Sequence, residues 1–173
     1  MEHFYEIDLK EITQYRDIIS LFAKGAIAVA KGEAGENSLT IGWGGLGVLW
    51  RKPTLTIYIN KKRYSKKIFD RASYFSVCFF NEKYQKELGQ FYGSLSGRDV
   101  DKIHDGPFHV DYYEGIPFYK ESEIVIFCKK IGQSDFDINL IGLNEITEWY
   151  KKDGVHTIYQ GQVIKVIKSE DLR

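Results

Sequence analysis

Short apolar stretches separated by polar turns run the length of the chain, and the spacing inside each stretch predicts its element. Ile12, Tyr15, Ile18, Ile19 and Phe22 recur at helical intervals, so a short helix is expected over Ile12 to Phe22. Gly25 opens the continuous run Ala26-Ile-Ala-Val-Ala30, which reads as a buried strand. Lys31-Gly-Glu-Ala-Gly-Glu36 is turn chemistry, and Asn37 to Leu46 reads as the returning strand of a hairpin. After Pro53 the alternation is clean: Leu55, Ile57 and Ile59 on one face of a strand, Thr54, Thr56 and Tyr58 on the other. Ser65 has the chemistry of an N-cap for a helix through Ala72. Tyr74 to Phe80 is a strand, and Glu82 to Tyr92 has helical composition, broken by Gly93 to Gly97. Glu123 to Ile131 and Thr157 to Lys168 are two further strands.

These elements amount to about six or seven strands and three or four short helices. Long crossover helices do not alternate with the strands. A doubly wound parallel sheet is therefore excluded, and the expected fold is mainly β, an antiparallel barrel with short helical insertions. The 173 residues suit one domain over the whole chain, 1–173, with a full core. No internal repeat, low-complexity run or linker interrupts it.

Composition narrows the partners. Aromatic residues make up 15% of the chain, which favours strands and also supplies linings for flat-ligand pockets. The 24 basic residues balance 24 acidic ones, so the basic excess of a nucleic-acid binder is missing and that partner class is not expected. The acidic start Met1-Glu-His-Phe-Tyr-Glu-Ile-Asp-Leu-Lys10 is unlike a signal peptide, and no run reaches the roughly 18 apolar residues of a membrane span. The expectation is a cytoplasmic protein without a membrane partner. Cys78 and Cys128 sit in apolar strand-like runs and read as reduced, buried structural thiols. They are unspaced for zinc, and no other metal constellation is legible.

Gly42-Trp-Gly-Gly-Leu-Gly47 satisfies the dinucleotide fingerprint G-x-G-x-x-G literally. That fingerprint needs a helix after it, whose N-terminus holds the pyrophosphate. Here Val48-Leu-Trp-Arg-Lys-Pro53 and another strand follow, so the dinucleotide reading is rejected. Glycines on such a strand still allow a flat ligand to approach the backbone closely.

Three segments carry candidate chemistry, each with a plainer alternative. Lys61-Lys-Arg-Tyr-Ser-Lys-Lys67 enters a helix and offers Arg63 for a two-point grip on phosphate; equally it is a solvated basic turn. Ser94-Leu-Ser-Gly-Arg-Asp-Val-Asp-Lys102 gathers hydroxyls, two cations and two carboxylates that would orient Arg98 and Lys102; the alternative is a surface turn capped by Ser96. Asn37-Ser-Leu-Thr-Ile-Gly-Trp43 presents Asn37 and Thr40 to a heterocycle edge, or is a hairpin with a core Trp. His156, just before the last long strand, is either structural or functional. His3, His104 and His109 carry no usable pattern.

These segments together resemble the flavin reductase family, also called flavoredoxin-like, of the FMN-binding split barrel. The resemblance runs from about Gly25 to Lys168 and rests on Asn37-Ser-Leu-Thr-Ile-Gly-Trp43, Arg63-Tyr64-Ser65, Ser96-Gly-Arg-Asp-Val-Asp-Lys102 and His156-x-x-Tyr159-x-Gly161 in that order. It implies a Greek-key barrel and noncovalent FMN at the interface of a homodimer. The isoalloxazine would lie along the strand bearing Asn37, Ser38, Thr40, Ile41, Gly42 and Trp43. The phosphate would sit with Arg63, Tyr64, Ser65, Ser96, Gly97, Arg98 and Lys102. It implies NAD(P)H as electron donor and free flavin, another small molecule or a protein as acceptor, with His156 on the nicotinamide or acceptor side. A flavoredoxin-like electron carrier and a non-catalytic flavin-binding module are the alternatives on the same barrel. Leu39 stands where the family commonly has Met, and Gly132 to Trp149 carries no family motif.

Overall fold

A computed structural model describes residues 4–8 and 18–170. Its main sheet is antiparallel throughout. In chain order the strands are β1 (Phe4–Glu6), β2 (Ala26–Gly32), β3 (Gly35–Ile41), β4 (Gly44–Leu49), β5 (Lys52–Asn60), β6 (Tyr74–Phe79), β7 (Val110–Tyr113), β8 (Ile116–Tyr119), β9 (Ile124–Asp135) and β10 (His156–Ser169). The sheet runs β3-β2-β6-β9-β10-β5-β4 with β1 added on β10, while β7 and β8 form a separate hairpin.

The sheet curls into a barrel, and side-chain alternation shows it. Leu39 and Ile41 of β3 share one apolar cluster with Leu55, Ile57 and Ile59 of β5, although these strands lie near opposite ends of the strand order. Ala28, Val77 and Ile126 enter the same cluster from the strands between them. One face of every long strand thus points into a shared interior. The outer face of β2, β6 and β9 is buried too: Ile27, Cys78 and Val125 join Tyr92, Phe108, Phe118 and Tyr119 in a second cluster. Burial on both faces explains the unbroken apolar runs Ala26–Ala30 and Ile124–Cys128. Cys78 and Cys128 are buried free thiols, and burial pushes the Cys78 thiol up to about 11.

The mainly β antiparallel barrel expected from the sequence is the observed fold, with differences in detail. The strand expected over Asn37 to Leu46 is two strands, because the chain turns at Gly42 and Trp43. β4 then returns onto β5 through Trp50 and Arg51, both at positive φ (50° and 61°). A left-handed turn of two non-glycine residues explains why the hairpin carries no familiar turn signature. Pro53 lies inside β5 opposite Val48, beyond the end of the β10 pairing, where its missing N–H costs no ladder bond. Of the helix expected over Ile12 to Phe22, residues 12–17 lie outside the described residues; the rest is α1 (Ile18–Ala23). α2 spans Lys66–Arg71. The Glu82–Tyr92 helix is irregular: Glu82–Tyr84 is 3-10, Gln85–Glu87 (α3) is α-helical, and Leu88–Gly93 is π-wound. β1, the β7–β8 hairpin and α4 (Asn144–Asp153) have no counterpart in the sequence reading.

Two side-chain contacts add to the ladders that hold β10 in place. Gly161 sits where a Cβ would come within 2.6 Å of Cys128 Cβ and 2.5 Å of the Phe75 ring, so only glycine lets β10 pack this closely. Tyr159 Oη donates to Asp70 Oδ1 at 2.6 Å, tying β10 to α2.

Candidate functional site

The outward-facing residues at the ends of β3 and β5 border a cleft of about 570 Å³. Thr40 follows the inward Leu39, and Tyr58 and Asn60 flank the inward Ile59, so strand alternation aims all three at the cleft. The remaining walls come from the turn Lys62–Ser65, the loop Ser94–Arg98, Lys102, α4 and the start of β10. The segments singled out in the sequence therefore converge. Thr40, Ile41, Gly42, Trp43, Arg63, Tyr64, Ser65, Ser96, Gly97, Arg98, Lys102 and His156 all line this one space.

Asn37 and Ser38 do not line it. Both are buried behind its wall. Asn37 Nδ2 donates to Ser65 Oγ at 3.2 Å, and Ser65 Oγ donates to the Ser38 carbonyl at 3.2 Å. Ser65 stands at the N-cap of α2, as expected from the sequence, but its hydroxyl is turned towards β3 and makes no cap bond. The reason is that β3 offers a buried acceptor that water cannot satisfy. Gly97 presses on the same spot: a Cβ there would stand 2.2 Å from Asn37 Nδ2.

One end of the cleft is cationic. Most of the basic turn is paired: Lys61 with Asp135 at 2.7 Å, Lys62 with Asp153 at 3.8 Å and Lys66 with Asp70 at 2.7 Å, while Lys67 lies over the Tyr64 ring. Among the described residues no carboxylate pairs with Arg63. Lys102 is only 4% exposed, and its Nζ donates to the Tyr92 carbonyl at 2.6 Å. Burial first, and then the charge of Arg63, lower its pKa to about 8. Two cations that destabilise one another in a cleft form a seat for an anion. Asp101 does not orient Arg98 or Lys102; it accepts from the backbone N–H groups of Ile103 and His104 and pairs with the His104 ring. Arg98 is exposed, near the Tyr64 ring, and its N–H donates to Ser96 Oγ at 3.2 Å.

The other end is aromatic. The Trp43 and His156 rings lie 4.7 Å apart, Trp43 and Trp149 5.7 Å, and Trp149 and His156 5.8 Å. Trp43 is half-exposed, which leaves a face for a planar ligand. His156 is 9% exposed, and its buried Nδ1 has no hydrogen-bond partner among the described residues. Burial and then Arg63 hold its pKa below the ordinary histidine value, so the imidazole is neutral at pH 7.

Trp149 comes from α4, within the stretch that bore no motif. Ile146, Trp149 and Tyr150 at helical spacing, followed by Gly154, are the sequence signal for it, and Gly154 ends the helix at φ 74°. Ser94, which opens one candidate segment, borders the cleft too, and Tyr58, Asn60, Tyr92 and Asp153 join it from outside the candidate segments.

Likeness to known proteins agrees with this geometry. Among curated proteins no sequence matches. A flavoredoxin from Methanosarcina acetivorans superposes with a TM-score of 0.66 at 23% identity, over 84% of this chain and 68% of that one. An FMN-binding protein from Thermus thermophilus with bound p-hydroxybenzaldehyde gives 0.66 at 22%, over 86% and 73%. An NADH:FAD oxidoreductase from Streptomyces globisporus gives 0.62 at 17%, over 96% and 93%. At these identities the superpositions speak for the fold. The sequence profile of the flavin reductase like domain covers residues 21–173, and with it every segment that builds the cleft. A barrel of this topology, matched by that profile over nearly its whole length, belongs to the flavin reductase-like family.

Proposed function

We propose that the cleft binds FMN noncovalently and that the chain is an NAD(P)H-dependent flavin reductase. The observation that carries this reading is the polarity of the cleft: a buried Lys102 facing Arg63 at one end, Trp43 and Trp149 at the other. A phosphate and a planar ring on one ligand match those two ends. Gly97 closing on Asn37 adds a tight cradle for the phosphate loop.

When bound, FMN supplies the two-electron chemistry, and the protein supplies binding, orientation and electrostatics. Arg63 and Lys102 hold the phosphate, with Ser96 beside them. Ser65 supports that seat from behind through its bonds to β3. Trp43 and Trp149 exclude water from the ring end. His156 presents a neutral imidazole to the side where donor or acceptor enters. Val48 and Trp50 at the tip of the β4–β5 hairpin are strongly exposed, and a second copy of the chain covers them in the proposed homodimer. A cytoplasmic location is part of the same proposal.

Anaerobic titration of the FMN-loaded protein with NADH and NADPH tests the reading. Bleaching of the flavin absorbance, with continued NAD(P)H oxidation once free flavin is added, is the expected result. Bound FMN with negligible turnover would instead mean an electron carrier reduced by a partner protein. Failure to retain FMN after reconstitution would sink both.

A further inference from the structure

Ser38 connects two loops of the cleft although it does not touch the cleft itself. Its carbonyl accepts from Ser65 Oγ at 3.2 Å, two residues beyond Arg63. Its hydroxyl bonds Tyr119 Oη at 2.8 Å, and Tyr119 Oη donates to the Lys102 carbonyl at 2.8 Å. Tyrosine has one hydroxyl proton, and it goes to that carbonyl, so Ser38 is the donor in the other bond. Lys102 is fixed at its far end as well, by the bond from Nζ to the Tyr92 carbonyl. The residue is therefore held at both its backbone and its ammonium.

The tether is dry and rigid. Ser38 and Tyr119 are fully buried. The Tyr119 ring packs against Tyr92 at 5.2 Å and Phe108 at 5.9 Å in the cluster outside the barrel. Burial holds its hydroxyl far above the ordinary tyrosine range, so it remains a donor at any working pH. Neither side chain can contact a ligand directly, since neither borders the cleft.

We propose that Tyr119 and Ser38 are positioning residues that fix the Lys102 loop relative to the Arg63 turn, and thereby give the site its preference for a phosphorylated flavin over the unphosphorylated one. The inference rests on reading Arg63 and Lys102 as the phosphate seat. Two cations at a set separation discriminate because their order is established before binding, and a ligand that uses both gains from it. Loosening one loop penalises only that ligand. The aromatic end of the cleft is built from the β3–β4 turn, α4 and the start of β10, none of which bonds the Ser38 or Tyr119 hydroxyl.

Titration of the chain with FMN and with riboflavin, for wild type, Tyr119→Phe and Ser38→Ala, tests this. The expected result is a drop in FMN affinity of about fivefold in each variant, the scale of one neutral hydrogen bond, with riboflavin affinity unchanged. The double variant should lose little more than either single one, because both break the same chain of bonds. Equal loss for both flavins, or no loss for FMN, would overturn the positioning role. Tyr119→Phe keeps the ring; if it nevertheless fails to fold, Ser38→Ala carries the test alone. Wild type binding FMN no tighter than riboflavin would instead remove the phosphate seat itself.

Discussion

Lys102 Nζ donates to the Tyr92 carbonyl at 2.6 Å, which holds a buried ammonium on the same cleft as Arg63. The tether comes from the π-wound end of the Glu82–Gly93 segment, where the Tyr92 carbonyl is left to accept a side-chain donor. The cleft thus contains a positive charge that the fold positions but does not neutralise.

That charge makes FMN binding depend on pH. Burial and Arg63 bring the Lys102 pKa down to about 8 in the free protein. A bound phosphate favours the ammonium, so the pKa in the complex is higher than in the free protein. Between the two values binding takes up a proton, and affinity falls as pH rises through about 8. The loss approaches about tenfold per pH unit at most, the limit for one linked proton. A flavin phosphate is already mostly dianionic at pH 7, with its second pKa near about 6. FMN dissociation constants measured from pH 7 to 10 should rise above pH 8, while those of riboflavin stay level. A flat FMN profile would refute the assignment.

Removing either cation should show the same selectivity. Arg63→Ala and Lys102→Ala are each expected to weaken FMN binding by about 1–3 kcal/mol, the scale of a lost charged hydrogen bond. Isothermal titration of both variants checks this, and wild-type affinity in both would exclude the phosphate seat.

Much of this architecture is legible in the sequence because it obeys local rules. Leu55, Ile57 and Ile59 alternate and all enter the barrel. Arg63, Ser96 and Lys102 are readable as anion chemistry by residue type, and they do border one cleft. What is not legible depends on contacts distant in sequence. Ser65 looks like a helix cap, yet β3 claims its hydroxyl. Asn37 looks like a ligand contact by residue type, and the family resemblance adds Ser38, yet both are buried behind the loops they brace. The break at Gly42 and Trp43 is invisible because Asn37 to Leu46 is one plausible strand by propensity; only the pairing of β4 with β5 reveals two. α4 has helical spacing, but its place over His156 is a tertiary fact.

The hydroxyl of Tyr159 is expected to support stability rather than binding. It donates to Asp70 Oδ1, which also accepts from Lys66 Nζ at 2.9 Å and Gln133 Nε2 at 3.0 Å. Burial alone would raise the Asp70 carboxyl, but the bonds from Lys66 and Tyr159 outweigh it and hold the pKa below the ordinary value. A depressed carboxylate contributes stability above its unfolded pKa of about 4, and that stability is lost as pH falls through the folded pKa. Tyr159→Phe should therefore cost about 1 kcal/mol at pH 7 and less in acid. Urea melts at pH 7 and pH 3 test this; an equal loss at both would separate Tyr159 from the Asp70 carboxylate.

Trp149 covers His156, and that cover has a measurable consequence. Burial is the main reason the His156 pKa lies below 6.5, with the Arg63 charge second. Trp149→Ala opens the aromatic end to water and removes a ring 5.8 Å from the imidazole. The burial contribution should shrink, so the His156 pKa should move up towards the ordinary value while the Arg63 contribution persists. The direction follows from the cation: a better-hydrated imidazolium is a more stable one. Proton NMR titration of the His156 ring in the variant and the wild type reads the shift directly. In the same variant the ring end loses a wall, so affinities for FMN and riboflavin should fall together, unlike the phosphate-end variants. An unchanged His156 titration would mean that Tyr150 and Trp43 bury the imidazole without help from Trp149.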